Sequence, residues 1–256
     1  MLKSGTVNIA FIVLLTSLIV LNQKYDVPLV SYGILGLIYA GVQAYGSSVL
    51  SAEFFVPVKW KGQQQNAIAI TFDDGPIPGK TDNILDILAA HKVHAAFFCI
   101  GNRASNNPSL VNKIHHAGHL VCNHSYWHRY TFDLQTSSAI GKELDDTNTL
   151  IHSLIGLKPV FFRPPYGVTN PMVAKAILRR KITTIGWSVR SFDTVINDGQ
   201  DLLKKITRNL KGGDIILLHD DGKMTTDILP SLLDHINTTG LKIVRLDELL
   251  NEKAYA

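Results

Sequence analysis

The sequence predicts an α/β fold, a (β/α) barrel of about seven parallel strands preceded by N-terminal transmembrane helices. Three observations predict it. Short apolar runs alternate with helix-like segments from Ala67 onward, polar and reactive side chains stand at the ends of several of those runs, and a nearly uncharged apolar excess is concentrated before residue 50.

The length, 256 residues, suits one domain of moderate size with an appendage. The appendage comes first. Val7 to Leu21 carries no charge, a polar stretch follows over Asn22 to Asp26, and a second uncharged run extends from Val27 to Leu50. Neither run has a polar face, and each approaches the length needed to cross a hydrocarbon core of about 30 Å. Two membrane-spanning helices over residues 1–50 are therefore expected. A single signal anchor with an apolar linker, or a cleaved signal peptide, would share the apolar excess, although no clear small-x-small cleavage site follows. With two spans, the N-terminal tail and the following domain share one side. Lys3 and Lys24 are too few to orient the pair, but an extracellular substrate would require the loop carrying Lys24 to lie inside.

Residues 51–66, with Pro57, Gly62 and four glutamine and asparagine side chains near their end, read as a connector. The domain proper then spans 67–256. Strands are expected over Ala67–Phe72, Ala95–Ile100, Leu120–Asn123, Val160–Phe162, Thr183–Ser188, Asp214–Leu218 and Lys242–Arg245. They are near-continuously apolar, as parallel strands covered on both faces must be. Helices are expected over Thr81–His91, Pro108–Ala117, Ser137–Ile155, Pro171–Arg179, Gln200–Leu210 and Thr225–Thr239. Asn107-Pro108 and Asn170-Pro171 have the cap-then-proline form of a helix start, while Gly118 and Gly240 mark helix ends. An open doubly wound sheet would show the same alternation. A barrel is favoured because it gathers all the polar strand ends on one face.

Five clusters carry the chemistry. Asp73 and Asp74 end the first strand and are followed by Gly75-Pro76. Two adjacent carboxylates repel, so the pair either forms a solvated turn or holds a cation. His124 and His128 follow the Leu120–Cys122 run, four residues apart, a spacing that lets both face one ion from a single helical turn. One Asp with two His leaves coordination positions open for water and substrate, which suits Zn²⁺ or another first-row ion. Arg163, between Phe162 and Pro164-Pro165-Tyr166-Gly167, can pair with a carboxylate in a stiffened turn. Asp193 follows the Gly186-Trp187-Ser188 strand end, and His219, ending the Asp214–Leu218 run, can act as a general acid tuned by an Asp. The two cysteines, Cys99 and Cys122, lie in apolar runs and read as buried thiols, with a disulfide between neighbouring strands as the alternative. Net charge is +4, with no Lys/Arg run long enough for nucleic acid.

In this order the motifs TFDDGP, HSYWH, RPPYG, Trp187 to Asp193 and Ile216-Leu-Leu-His219 resemble those of the polysaccharide deacetylases with a NodB homology domain, carbohydrate esterase family 4, over about residues 66–250. The resemblance implies a distorted (β/α) barrel and a metal-dependent hydrolase that removes N-acetyl groups from N-acetylglucosamine-type units of a cell-envelope or extracellular polysaccharide. It implies Asp73 as general base, Asp74, His124 and His128 as ligands of a divalent metal (Zn²⁺, with Co²⁺ or Ni²⁺ as alternatives), and Arg163 as the residue that orients the base. His219 is then the general acid, tuned by Asp193. The substrate-binding residues are Tyr166, through its backbone N–H, with Pro165, Trp187 and Leu217, the last lining the acetyl pocket. Arg190 and Thr194 depart from the family pattern, where an acid and a Trp are usual. The expected partners are an acetylated glycan and membrane lipid, with the domain facing the cell exterior or periplasm and no obligate protein partner. A metal amidase acting on a small amide, and a non-catalytic glycan-binding module, are the alternatives.

Overall fold

In the computed structural model, which describes residues 2–256, the chain opens with two helices, α1 (Ser4–Asn22) and α2 (Leu29–Ser48). At 1.5 Å per residue they are about 28 and 30 Å long, and both are long and apolar enough to cross a membrane. They form an antiparallel hairpin. Asn8 Oδ1 accepts hydrogen bonds from Tyr39 Oη and Gln43 Nε2, both at 3.0 Å, Phe11 stacks on Tyr39, and Tyr32 Oη reaches Leu18 O at 3.1 Å. The hairpin returns to its start: Ser4 N donates to Phe54 O at 3.0 Å and Lys3 Nζ to Glu53 O at 2.7 Å. Both open ends of the hairpin therefore lie beside the following domain.

Among the described residues one sheet holds nine strands: β1 (Val58–Lys59), β2 (Ala67–Asp73), β3 (Ala96–Cys99), β4 (Leu120–Asn123), β5 (Phe161–Phe162), β6 (Thr183–Ile185), β7 (Val189–Arg190), β8 (Ile215–His219) and β9 (Lys242–Ile243). Their order is β1-β6-β5-β4-β3-β2-β8-β7, with β9 on β2, and all pair in parallel. The helices α3 (Lys80–Ala90), α4 (Gly101–Asn106), α5 (Pro108–His116), α6 (Ser137–Ile155), α7 (Pro171–Arg180), α8 (Gly199–Thr207), α9 (Thr225–Thr238) and α10 (Leu246–Leu250) complete the α/β pattern. Among the described residues no ladder joins β1 to β7, so the sheet is a curled half-barrel. Its two ends are nevertheless close, because only Gly186, Trp187 and Ser188 separate β6 near one end from β7 at the other.

That crossing explains why the expected strand over Thr183–Ser188 stops at Ile185. Gly186 N donates to Lys59 O, whereas Ser188 N already donates to Ile215 O of β8, next to the far edge. The stretch expected to be a connector contains β1, too short to show a period in sequence. The cap expected at Asn170 is present, its Oδ1 accepting from Met172 N and Val173 N, both at 2.9 Å. Asn107 instead turns its amide back to Arg103 O at 2.9 Å, because the short helix α4 ends there and leaves that carbonyl unpaired.

Side chains alternate across the strands with period two. On β2, Ile68, Ile70 and Phe72 face outward into the core shared with α3, α5, α8 and α9, while Ala67 and Ala69 face inward with Ala96, Phe98, Leu120, Cys122 and Ile215. Cys99 and Cys122 belong to opposite faces and are free thiols, so the disulfide alternative is not realised. Leu246 and Leu249 of α10 close the inner cluster from below. The next inward positions on β2 are Thr71 and Asp73, and on β8 Leu217 and His219, so the inner row turns polar at the C-terminal ends of the strands. Phe97 is fully buried and stacked on Phe72, with ring centroids 5.0 Å apart. Phe97→Ala is expected to lower the stability of the domain by about 3–5 kcal/mol in urea unfolding monitored by circular dichroism.

Candidate active site

Register sets the centre of the site. In the parallel ladder of β2 and β8, Asp73 lies opposite His219. In that of β4 and β5, Asn123 lies opposite Phe162, so the residues that follow, His124 and Arg163, leave their strands side by side.

Asp73 and Asp74 are adjacent in sequence but face different surroundings. Asp73 is buried and accepts a hydrogen bond from Arg163 Nη1 at 2.6 Å. Arg163 is itself fully buried and also donates to Thr71 Oγ1 and Gly186 O, both at 2.9 Å, with its guanidinium 4.2 Å from the Phe98 ring centre. Asp74 takes a left-handed backbone, φ 70°, which turns its carboxylate toward the two histidines. Its Oδ1 lies 3.5 Å from His124 Nε2 and 3.3 Å from His128 Nε2. The ligand atoms of Asp74, His124 and His128 all fall within 4.8 Å of one another, and Asp74 Oδ1 is buried without a hydrogen-bond partner. A cation would satisfy that orphaned oxygen and relieve the two crowded rings, so the three residues fit a divalent metal.

His124 Nδ1 lies 2.8 Å from the Arg163 carbonyl, which can only accept. The proton therefore sits on Nδ1, and Nε2 presents its lone pair to the site. Burial, helped by the neighbouring His124, pushes His128 down to about 4, so the His128 ring is neutral near pH 7. Burial works against the charge on Asp74, but His124, together with His128 and His219, holds its carboxyl well below the usual carboxylate range.

The four-residue spacing of the histidines is not realised on a helix, as their sequence suggested. Residues 124–129 form a loop in which Ser125 and His128 take left-handed backbones, φ 63° and 51°. Glu143 of α6 shapes it, one carboxylate oxygen accepting from Tyr126 N at 3.2 Å and Trp127 N at 3.0 Å. Asn123 Oδ1 takes Ser125 N at 2.9 Å. The curl brings the His124 and His128 rings to 4.8 Å between centroids. Glu143 was missed in sequence, though an acid on the buried face of α6, beside Ile140, Leu144 and Ile151, is a readable signal.

On the opposite wall, His219 Nδ1 donates to Asp193 Oδ1 at 2.7 Å, leaving Nε2 for the cleft. Asp193 is fully buried and also accepts from His219 N at 2.7 Å, Thr225 Oγ1 at 2.7 Å and Ser191 Oγ at 2.9 Å. Burial opposes the charged form of His219, but the Asp193 hydrogen bond and the charges of Asp73, Asp193 and Asp74 outweigh it and push the ring up to about 9. Asp220, next in sequence, has no part in this. Strand alternation sends it to the other face, where Thr81 Oγ1 donates to it and burial raises it to about 7.

The cleft between these walls has a volume of about 190 Å³, the size of an acetamido group with part of a sugar ring. Asp73, Asp74, His124, His128, Tyr166, Trp187, Leu217 and His219 line it, as do Arg190 and Thr194 at the departures from the family pattern. Arg190 lies over the Phe192 and Trp187 rings at 4.6 and 5.8 Å. Tyr166 is left-handed, φ 58°, and its ring packs 4.7 Å from that of His128. At Gly167, φ 69°, a Cβ would collide with the Trp187 ring, so only glycine lets this turn approach the cleft wall. Pro165, expected among the substrate-binding residues, is buried and does not line the cleft. It is placed to stiffen the turn beneath Tyr166. Arg163 and Asp193 likewise stand behind the cleft rather than in it.

The model of the polysaccharide deacetylase family matches residues 61–185. The chain is 33% identical over 202 residues to a peptidoglycan-N-acetylglucosamine deacetylase of Bacillus cereus, covering 77% of this chain and 94% of that one. It is 32% identical to a chitooligosaccharide deacetylase of Rhizobium leguminosarum, covering 76% and 87%. With the Listeria monocytogenes peptidoglycan-N-acetylglucosamine deacetylase PgdA it shares 34% identity, but it spans only 42% of that protein's length. Among solved structures, the Bc1960 peptidoglycan N-acetylglucosamine deacetylase superposes with a TM-score of 0.74 at 27% identity, covering 78% of this chain and 95% of that one. BA3943 of Bacillus anthracis, described as a family pseudoenzyme, gives 0.71 at 28%, covering 77% and 70%. The chain belongs to the polysaccharide deacetylase family.

Because the folded-state value of His219 lies above its ordinary 6.5, the ring's contribution to stability is complete below about 6.5 and is lost as pH rises through about 9. In chelator-treated protein, NMR titration of the His219 ring is expected to give a midpoint near 9. Asp193→Asn is expected to bring that midpoint down and to flatten stability across the same window.

Proposed function

We propose that this chain is a metal-dependent N-deacetylase that hydrolyses the acetamido group of N-acetylglucosamine-type units in a cell-envelope polysaccharide, and that α1 and α2 anchor it in a membrane with the catalytic domain outside. The observation that carries the reading is the unpartnered Asp74 Oδ1 between two imidazoles, set beside an independently held Asp73 and facing His219 across one small cleft. The names of the relatives support the substrate class.

Asp74, His124 and His128 would hold a divalent cation, which when bound would polarise the amide and acidify water so that it can be activated near neutral pH. Zn²⁺ suits a set of two imidazoles and one carboxylate best, and Co²⁺ and Ni²⁺ fit the same donors. The chain does the rest. Asp73 removes the proton of the attacking water, and the Arg163 hydrogen bond keeps that carboxylate aimed. The Tyr166 N–H donates to the developing oxyanion. His219, protonated with Asp193 behind it, delivers a proton from Nε2 to the departing amine. Leu217 gives the acetyl methyl an apolar wall. The products are acetate and a free amino sugar.

A fold-mate described as a pseudoenzyme means the fold alone does not secure activity. A non-catalytic glycan-binding module would lack one of these groups, whereas Asp73, Asp74, His124, His128 and His219 all line the cleft here, which supports the catalytic reading.

Metal content and turnover separate the two aspartates. Asp73→Asn is expected to lower acetate release from an N-acetylglucosamine oligomer by about 10²–10⁴-fold while bound metal stays unchanged by mass spectrometry. Asp74→Ala and His128→Ala should lose both metal and activity. Acetate release that survives these two changes and chelation would overturn the metal-dependent reading.

A further inference from the structure

The hairpin does not hang from the domain on a loose tether. Ser47 O, in the last turn of α2, accepts the backbone N–H of Thr169 at 3.0 Å. Gly46 is buried against Phe54, where a Cβ would collide with that ring. Leu50, just beyond α2, is buried in a cluster with Phe132, Phe162, Val173 and Ile177. The end of the second membrane-length helix is therefore fastened to the segment that carries the cleft residue Tyr166. At 3.8 Å per residue, the three steps from Thr169 to Tyr166 span at most about 11 Å.

Three large apolar side chains are exposed around this junction. Tyr130, Leu134 and Met172 are 88%, 78% and 42% exposed. They come from the segment around residues 130–134 and the first turn of α7, which are tied together at the junction: Asn170 Nδ2 donates to Asp133 O, and the Tyr130 ring stacks on Tyr166 with centroids 5.6 Å apart. Tyr45, 61% exposed in the last turn of α2, has the amphipathic character that settles at a membrane–water interface, and it lies two residues from the docked Ser47. Tyr45, the exposed apolar side chains and Tyr166 at the mouth of the cleft are thus grouped around this one junction.

We infer that Leu134 and Met172 rest in the lipid headgroup region and that the saccharide taken by the cleft is one carried on a membrane lipid, rather than a glycan remote from the bilayer. This rests on the deacetylase reading above and narrows its substrate class.

The test uses the full chain, metal-loaded and reconstituted in phosphatidylcholine–phosphatidylglycerol nanodiscs. Two substrates are compared: N,N′-diacetylchitobiose linked through its reducing end to a diacylglycerol, and the same disaccharide free in solution. The lipid-linked form is expected to show a kcat/KM at least about tenfold higher, because Leu134 and Met172 seat the mouth of the cleft in the headgroup layer that holds the substrate. The double variant Leu134→Glu, Met172→Glu should lose that preference while retaining turnover of the free disaccharide. Equal kcat/KM for the two forms, or a preference that persists in the double variant, would overturn the inference and leave the deacetylase reading intact. Acetate release from neither form would overturn both.

Discussion

A buried guanidinium holds the site together. Arg163 has no exposed surface, and taking a charge out of water costs several kcal/mol unless its donors are matched. Nη1 is matched by Thr71 and Asp73 at the end of β2 and Nη2 by the Gly186 carbonyl where the chain leaves β6, while Nε is left without a partner. The carbonyl of the same residue fixes the tautomer of His124. One side chain and its backbone thus tie together the ends of β2, β4, β5 and β6. A slip of one residue in any of these ladders would turn the inner row outward and leave a charge stranded in the core.

From that constraint follows the separation of two carboxylates that are neighbours in sequence. Asp73 continues the inward row of β2 and is claimed by Arg163. Asp74 stands just past the strand, where its left-handed backbone releases it toward His124 and His128. Two environments suit the two carboxylates to the different roles proposed for them, the logic by which paired acids are commonly differentiated. The opposite wall repeats the device with a different pair, since Asp193 lies behind and His219 in front. The β2–β8 register sets Asp73 and His219 face to face across the cleft.

Much of this was legible from residue types. The apolar runs located the central strands because β2, β3, β4 and β8 are covered on both faces and tolerate little else. The strand-end clusters placed the metal, base and acid candidates because a parallel sheet collects its C-terminal ends on one side. What escaped has physical causes. β1 and β7 are two residues each, too short to carry a period. The His124–His128 spacing fits a helical turn as well as a loop, and the choice is made by Glu143, distant in sequence. Asp220 and Asp193 look equally suited to steady His219 on paper, and only strand alternation and the crossing at Gly186–Ser188 distinguish them. Pro165 acts beneath the turn rather than at the cleft, a distinction that no local pattern expresses.

The central claim is that Asp74 binds the metal and Asp73 does not. The most direct measurement is a crystal structure of the Asp73→Asn protein soaked with Zn²⁺, with the ion located by its anomalous scattering. The account predicts a single strong peak within about 2.0–2.2 Å of Asp74 Oδ1, His124 Nε2 and His128 Nε2, with the substituted amide still turned toward Arg163. An ion displaced from these three atoms, or absent until Asp73 is restored, would contradict it.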